Sequence, residues 1–134
     1  MAANPGIWVG SMEILLGTAR HTNIAIIPGS TGPTVYELQG PFRSATNLMH
    51  KAPYPAYSGW TNYVWVKVSG MEDAENVRIA GDDAILEYSG DMYFVSSNRF
   101  VSSVMRRASI ELTSAHKAVI GWAPGLCWCA NCAD

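Results

Sequence analysis

The chain has 134 residues, of which 49% are hydrophobic and 15% are charged, and its formal net charge is −2. This length fits one domain, and the composition excludes a disordered chain, which needs few apolar residues and a high net charge. The nine basic residues are spread along the sequence. Nucleic acid is therefore not an expected partner, because phosphate binding needs clustered Lys and Arg. We expect one soluble domain over residues 1–134.

The N-terminal residues have neither a basic region nor an apolar core, so the sequence predicts no signal peptide. The longest apolar runs, at 14–16 and 24–28, are far too short to span a bilayer. We expect the protein to be cytoplasmic as synthesised. Export by a route that needs no cleaved signal stays open.

β structure is predicted for the first part of the chain. Segment 11–16 ends at a glycine, 21–27 is rich in β-branched residues and stops at Pro28, and 34–39 follows a second proline. The turn formers between the last two segments predict that they form a hairpin.

The stretch 40–60 holds three prolines and is predicted to be a long irregular loop. Such loops are uncommon and often functional, for example as lids over a substrate. In the segment that follows, Val64, Val66 and Val68 alternate with larger or polar residues, which predicts a strand with the valines facing inward.

Two helices are predicted in the second part of the chain. Ser69 and Glu72 match a capping box, and apolar residues at helical spacing then predict a helix from Glu72 to Tyr88 with a solvated acidic face. A second helix is predicted from Ser97, whereas 118–120 is expected to be a strand or an extended segment. The residues expected to be buried against one sheet are Val77, Ile85, Phe100 and Val104. The predicted fold class is α+β, with an antiparallel sheet packed against two helices.

The C-terminal tail, residues 126–134, carries all the cysteines of the chain. They are Cys127, Cys129 and Cys132. Thiolates at this spacing could bind zinc if His116 or Asp134 supplied a fourth ligand, and an odd cysteine number also permits one disulfide and one free thiol. We favour a reduced tail outside any catalytic site, and we predict neither a metal ion nor a cofactor.

His21 begins a predicted strand and Ser97 begins a predicted helix. The first N–H groups of a helix can stabilise an oxyanion, and histidine is the usual base for a serine hydroxyl, so the two residues are candidates for a catalytic pair. Both also have ordinary structural roles, because serine is a favoured helix N-cap and a histidine at a strand end is often simply a hydrogen-bonded polar residue.

Segments 21–27 (HTNIAII), 35–41 (VYELQGP), 89–93 (SGDMY) and 96–101 (SSNRFV) resemble permuted papain-like proteins related to the NlpC/P60 superfamily. In that group a histidine begins a strand and Gly-Pro follows its hairpin partner. A nucleophile and an Asn or similar residue begin a helix whose first buried residue is Phe. The resemblance covers about residues 20–110. It implies a permuted papain-like fold and hydrolysis or acyl transfer at an amide or ester bond.

The resemblance also implies site residues, with His21 as general base and then acid, Ser97 as nucleophile, and a polar residue on the next strand that orients the imidazole. Glu37 and Gln39 share the expected face of that strand, and we choose Glu37. The usual nucleophile of the family is cysteine, whose thiol ionises far more readily than a hydroxyl. A natural serine variant, an inactive relative and a cysteine replaced by serine all remain as explanations.

Domains of this kind act on cell-wall peptides, acyl lipids or proteins, some as secreted bacterial toxins or effectors, and the resemblance implies a substrate of one of these classes. The alternative is a catalytically inactive binding or assembly module on the same fold, with a protein as its partner. The serine at the cysteine position, the low charge, and the five Trp and six Tyr residues favour it.

Overall fold

Five strands and three helices make up the described part of the chain. The computed structural model describes residues 4–14, 19–29, 33–39, 48–53, 63–88, 97–123 and 126. The strands are β1 (Gly6–Ile14), β2 (Ala19–Ile27), β3 (Thr34–Gln39), β4 (Leu48–Pro53) and β5 (Val64–Ser69). The helices are α1 (Ala74–Tyr88), α2 (Ser97–Arg107) and α3 (Ser114–Ile120).

The strands form one antiparallel sheet in the order β4-β3-β2-β1-β5. β1 lies between β2 and β5, with Val9 opposite both Ile24 and Val66. β2 and β3 form the predicted hairpin, in which Ile24 is opposite Tyr36. The predicted α+β class with an antiparallel sheet is therefore confirmed.

The helices pack on one face of this sheet, which we call the helix face. Alternate strand residues point to it because successive side chains of a strand leave on opposite sides. The fully buried residues of this core include Ile7, Val9, Ile24, Tyr36, Val77, Phe100, Val101, Val104 and Ile120. As predicted, Val77, Phe100 and Val104 are buried, and Ile85 is partly buried against the same core.

The other face of the sheet, which we call the far face, carries a second apolar cluster. Its buried members are Trp8, Ala25, Ile27, Val35 and Tyr63, with Met12 and Trp65 packed against them. These residues alternate in sequence with those of the helix-face core. The sheet is therefore apolar on both faces over much of its length.

The strand predictions need three corrections. β1 begins at Gly6, before the predicted 11–16 segment, and residues 15 and 16 lie outside the described part. The predicted loop 40–60 contains β4, because pairing with β3 overrides a weak local preference. Val64 is 48% exposed, whereas Val66 and Val68 pack against the helix-face core as predicted.

The helix predictions need two corrections. α1 is preceded by a 3-10 turn (Met71–Asp73) with Gly70 as its N-cap and no side-chain cap, so the predicted capping box is absent, and the Ser69 hydroxyl instead donates to Asp73. Residues 118–120 belong to α3, which has a capping box between Thr113 and His116 that the sequence analysis missed. The described residues thus form three α-helices where two were predicted.

No helix in the described residues is both long and apolar enough to cross a membrane. The same residues contain no group of three or more His, Cys, Asp or Glu side chains placed to hold a metal ion. Leu126, which was assigned to the tail, is buried in the helix-face core. Cys127, Cys129 and Cys132 lie outside the described residues.

Candidate functional site

His21 and Glu37 form the centre of the candidate site. His21 Nε2 lies 2.7 Å from Glu37 Oε1. The histidine side chain is 20% exposed, whereas the glutamate is fully buried. Both leave the sheet on its far face, His21 from β2 and Glu37 from β3. The polar partner chosen from strand parity is thus the one that contacts His21. Gln39, the other candidate, closes β3, and its side chain lies outside the described part.

Tyr63, just before β5, also binds Glu37, and the sequence analysis gave it no role in the site. Its hydroxyl donates to Glu37 Oε1 over 2.6 Å, so two groups converge on one carboxylate oxygen. Its ring lies edge-on to His21, with centroids 6.1 Å apart and an interplanar angle of 72°. The alternation of residues 63–68 placed Tyr63 on the face opposite the valines, but nothing in the sequence indicated that it reaches Glu37.

This arrangement determines which ring nitrogen of a neutral His21 carries the proton. An ionised carboxylate only accepts hydrogen bonds, so a bond between it and Nε2 requires the proton to be on Nε2. Nδ1 of the neutral ring then keeps a lone pair. Nδ1 makes no hydrogen bond to any described residue. It is the nitrogen that can act as a base.

The first turn of α2 lies beside His21 through contacts with its two chain neighbours. Ser97 Oγ donates to the carbonyl oxygen of Thr22 over 2.5 Å, and Asn98 Nδ2 donates to the carbonyl oxygen of Arg20 over 2.9 Å. The Thr22 hydroxyl donates to Asn98 Oδ1 over 2.7 Å. These three bonds fix the N-terminus of α2 against the start of β2.

The structure does not join His21 and Ser97 directly. No hydrogen bond links the two described side chains, because Ser97 Oγ is bound to Thr22 and His21 Nε2 to Glu37. The imidazole also leaves β2 on the far face, whereas the Thr22 side chain leaves it on the helix face, toward α2. A reaction between Ser97 and His21 therefore requires Oγ to release the Thr22 carbonyl and the two side chains to approach each other.

Asn23 lies on the far face close to this group. It precedes Ile24, the last residue of β2 paired with β3 at this end, and the alternation of the strand turns its side chain to the far face. Its Oδ1 accepts from the Gly10 N–H over 3.2 Å, while its buried Nδ2 has no hydrogen-bond partner among the described residues. The far face thus holds a buried carboxylate and a buried amide within an otherwise apolar cluster.

Comparisons of the chain with protein-family models, with curated proteins and with solved structures found no match. The resemblance to permuted papain-like proteins therefore rests on short sequence segments. The chemistry open to the site depends on the contacts of His21, Glu37, Tyr63 and Ser97.

Proposed function

We propose that the protein is a hydrolase or acyltransferase that acts on an amide or ester bond, with His21, Glu37 and Ser97 as its catalytic residues. The observation that carries the proposal is the 2.7 Å contact between His21 Nε2 and the fully buried Glu37 carboxylate. In catalytic sites a buried carboxylate bound to one ring nitrogen keeps the histidine in one tautomer and one orientation.

In the proposed mechanism Ser97 Oγ turns from the Thr22 carbonyl and attacks the substrate carbonyl carbon, while His21 Nδ1 takes its proton. The resulting oxyanion accepts hydrogen bonds from the first backbone N–H groups of α2. The tetrahedral intermediate then collapses and expels an amine or alcohol, which receives the proton from His21. Water, or another acceptor in acyl transfer, attacks the acyl-enzyme with His21 as base and regenerates the Ser97 hydroxyl.

Glu37 stabilises the imidazolium that forms in this mechanism. Its full burial leaves the charge poorly screened by water, so its attraction for the imidazolium is stronger than that of a surface carboxylate. It does not take the proton itself. Its role is to orient the ring and to balance the charge on it.

The fold that we propose for the chain is the permuted papain-like one, with the serine of α2 at the usual cysteine position. The placement of Ser97 and Asn98 against Arg20 and Thr22 supports this proposal, because it puts the start of α2 next to the start of β2. The substrate classes that go with the fold are cell-wall peptides, acyl lipids and proteins, and a role as a bacterial toxin or effector is part of the proposal.

A catalytically inactive binding or assembly module on the same fold is the second candidate. One observation favours it, since the Ser97 hydroxyl already has an acceptor in the Thr22 carbonyl and points away from His21. In that case the bonds of Ser97 and Asn98 serve to anchor α2, and His21 and Glu37 form a structural pair. The partner would then be a protein.

A fluorophosphonate probe separates the two functions, because it phosphonylates serines that an adjacent base activates. We expect the purified protein to be labelled at Ser97, as located by mass spectrometry of the peptides, and Ser97→Ala to remove the label. Ser97→Cys should react with an iodoacetamide probe faster than the other cysteines, because His21 can deprotonate a thiol more readily than a hydroxyl.

Labelling elsewhere, or no labelling of the folded protein and no enhanced reactivity of Ser97→Cys, would contradict the hydrolase proposal and favour the binding module. Ser102 and Ser103, which are also buried in α2, serve as internal controls in the same digest. They have no histidine partner in the proposed mechanism and should stay unlabelled.

A further inference from the structure

Tyr63 lies where the parts of the candidate site meet. Its hydroxyl donates to Glu37 Oε1, the oxygen that also contacts His21 Nε2. Its ring lies edge-on against the imidazole. Tyr63 therefore contacts both the carboxylate and the histidine that the carboxylate holds.

We propose that Tyr63 is a positioning residue, whose hydroxyl fixes the Glu37 carboxylate so that Oε1 holds His21 Nε2 and leaves Nδ1 for proton transfer. The inference rests on the proposed function of His21 as a base. Each donor bound to a carboxylate oxygen restricts rotation of the carboxylate about its last side-chain bond. A second donor on the same oxygen restricts that rotation, and fixed second partners are what keep a reacting group in its productive geometry.

Gly10 leaves room for the Trp65 ring, against which the Tyr63 ring packs. β1 separates β5 from β2 and β3 in the sheet. A Cβ at Gly10 would lie 2.9 Å from the Trp65 ring and 2.5 Å from Asn23 Oδ1. The Trp65 ring therefore lies across β1 above Gly10, and it packs against the Tyr63 ring at 5.9 Å. Because glycine leaves this space free, the Trp65 ring of β5 can extend over β1.

The burial of Tyr63 allows a simpler account, in which the hydroxyl binds Glu37 only because a buried phenol needs a partner. The two accounts differ in what happens to His21 when the hydroxyl is removed. A positioning role predicts a change at the imidazole, whereas a purely structural role predicts only a loss of stability.

Tyr63→Phe tests the proposal, with Tyr36→Phe as the matched control. Tyr36 is also buried and its hydroxyl also donates to a carboxylate, that of Asp82, but on the helix face. In protein labelled with 15N-histidine, the His21 Nε2–H proton should exchange with water about tenfold faster in Tyr63→Phe. It should exchange at the wild-type rate in Tyr36→Phe. Equal exchange in all three proteins would overturn the proposal.

The labelling of Ser97 by the fluorophosphonate gives a second readout. Tyr63→Phe should slow it by about tenfold, a loss within the range for disturbing a general base. In a Glu37→Ala background, which removes the acceptor, the same change should add nothing, because Tyr63 acts through Glu37. A further tenfold loss in that background would overturn the proposal. If wild-type protein is not labelled at all, the proposed function fails, and the exchange rates still decide the role of Tyr63.

Gly10→Ala provides a second variant should Tyr63→Phe fold poorly. The added Cβ would lie 2.5 Å from Asn23 Oδ1 and 2.9 Å from the Trp65 ring, so it displaces the Asn23 amide as well as the ring that packs against Tyr63. We expect faster exchange of the His21 Nε2–H proton here as well. An unchanged exchange rate in a folded Gly10→Ala protein would again contradict a positioning role.

Discussion

The two faces of the sheet are stabilised in different ways. On the helix face, aliphatic and aromatic side chains from β1, β2 and β3 pack against α1 and α2, with Phe100 and Val104 fully buried. On the far face, an apolar cluster surrounds a buried carboxylate whose oxygen is shared by a histidine and a tyrosine. The helix face depends on volume and shape, and the far face depends on a few hydrogen bonds with fixed geometry.

The largest effect on stability should come from the helix face. Phe100→Ala removes a fully buried ring and should lower the free energy of unfolding by about 4 kcal/mol. Urea unfolding followed by circular dichroism measures this. Leu86→Ala on α1 is the control, since Leu86 is 80% exposed and its loss should change the free energy by less than about 0.5 kcal/mol. Similar losses in both variants would refute the assignment of the core.

The next largest effect should come from the far face, where chemistry matters more than volume. Glu37→Ala removes the carboxylate that accepts from the Tyr63 hydroxyl and contacts His21 Nε2, and should lower the free energy of unfolding by about 2 kcal/mol. Glu37→Gln keeps an acceptor oxygen and should cost about half as much. Urea unfolding at pH 7 compares the two. If they are equally stable, the bonds to Glu37 contribute little to the far face.

Two glycines allow the same substitution to be made on each face. A Cβ at Gly81 of α1 would lie 2.5–2.7 Å from three atoms of the Tyr36 ring. Gly81→Ala should therefore cost about 1 kcal/mol, because overpacking outweighs the better helix propensity of alanine. Gly10→Ala on the far face should cost a similar amount. We expect only Gly10→Ala to slow the fluorophosphonate labelling of Ser97 as well. Slower labelling in both variants would contradict the different roles of the helix face and the far face.

The last effect on the free energy of unfolding should be absent at pH 7 and confined to alkaline pH. Burial, together with the nearby Asp82 carboxylate, raises the pKa of Tyr36 well above its usual value of 10. The folded protein then binds a proton that the unfolded chain releases above pH 10, so stability should fall by about 1.4 kcal/mol per pH unit there. Tyr36→Phe should remove this part of the slope. An identical pH dependence in wild type and variant between pH 10 and 11.5 would contradict it.

The helix face was largely predictable from the sequence. The three- and four-residue spacing of apolar side chains indicated α1 and α2, and β-branched runs bounded by prolines indicated β2 and β3. α3 was missed because Val119 and Ile120 favour a strand locally, whereas the cap between Thr113 and His116 decides in favour of a helix. β4 was missed because its hydrogen bonds to β3 are not encoded in its own residues.

The candidate site was predictable only in part. The resemblance implied a polar partner for His21 on the next strand, and strand parity left Glu37 and Gln39 as candidates, of which Glu37 makes the contact. The contact of Tyr63 with Glu37 depends on side chains that extend across β1, which no local pattern records. Likewise, the bond from Ser97 to the Thr22 carbonyl depends on how the N-terminus of α2 packs against the start of β2.

The rate of fluorophosphonate labelling at Ser97 in His21→Ala, relative to wild type, tests the catalytic proposal most directly. His116→Ala is the control, because His116 caps α3 and has no part in the proposed site. If His21 is the base for Ser97, its removal should slow labelling by at least about 100-fold, while His116→Ala stays close to wild type. Equal labelling rates in wild type and His21→Ala, with both proteins folded, would contradict the account.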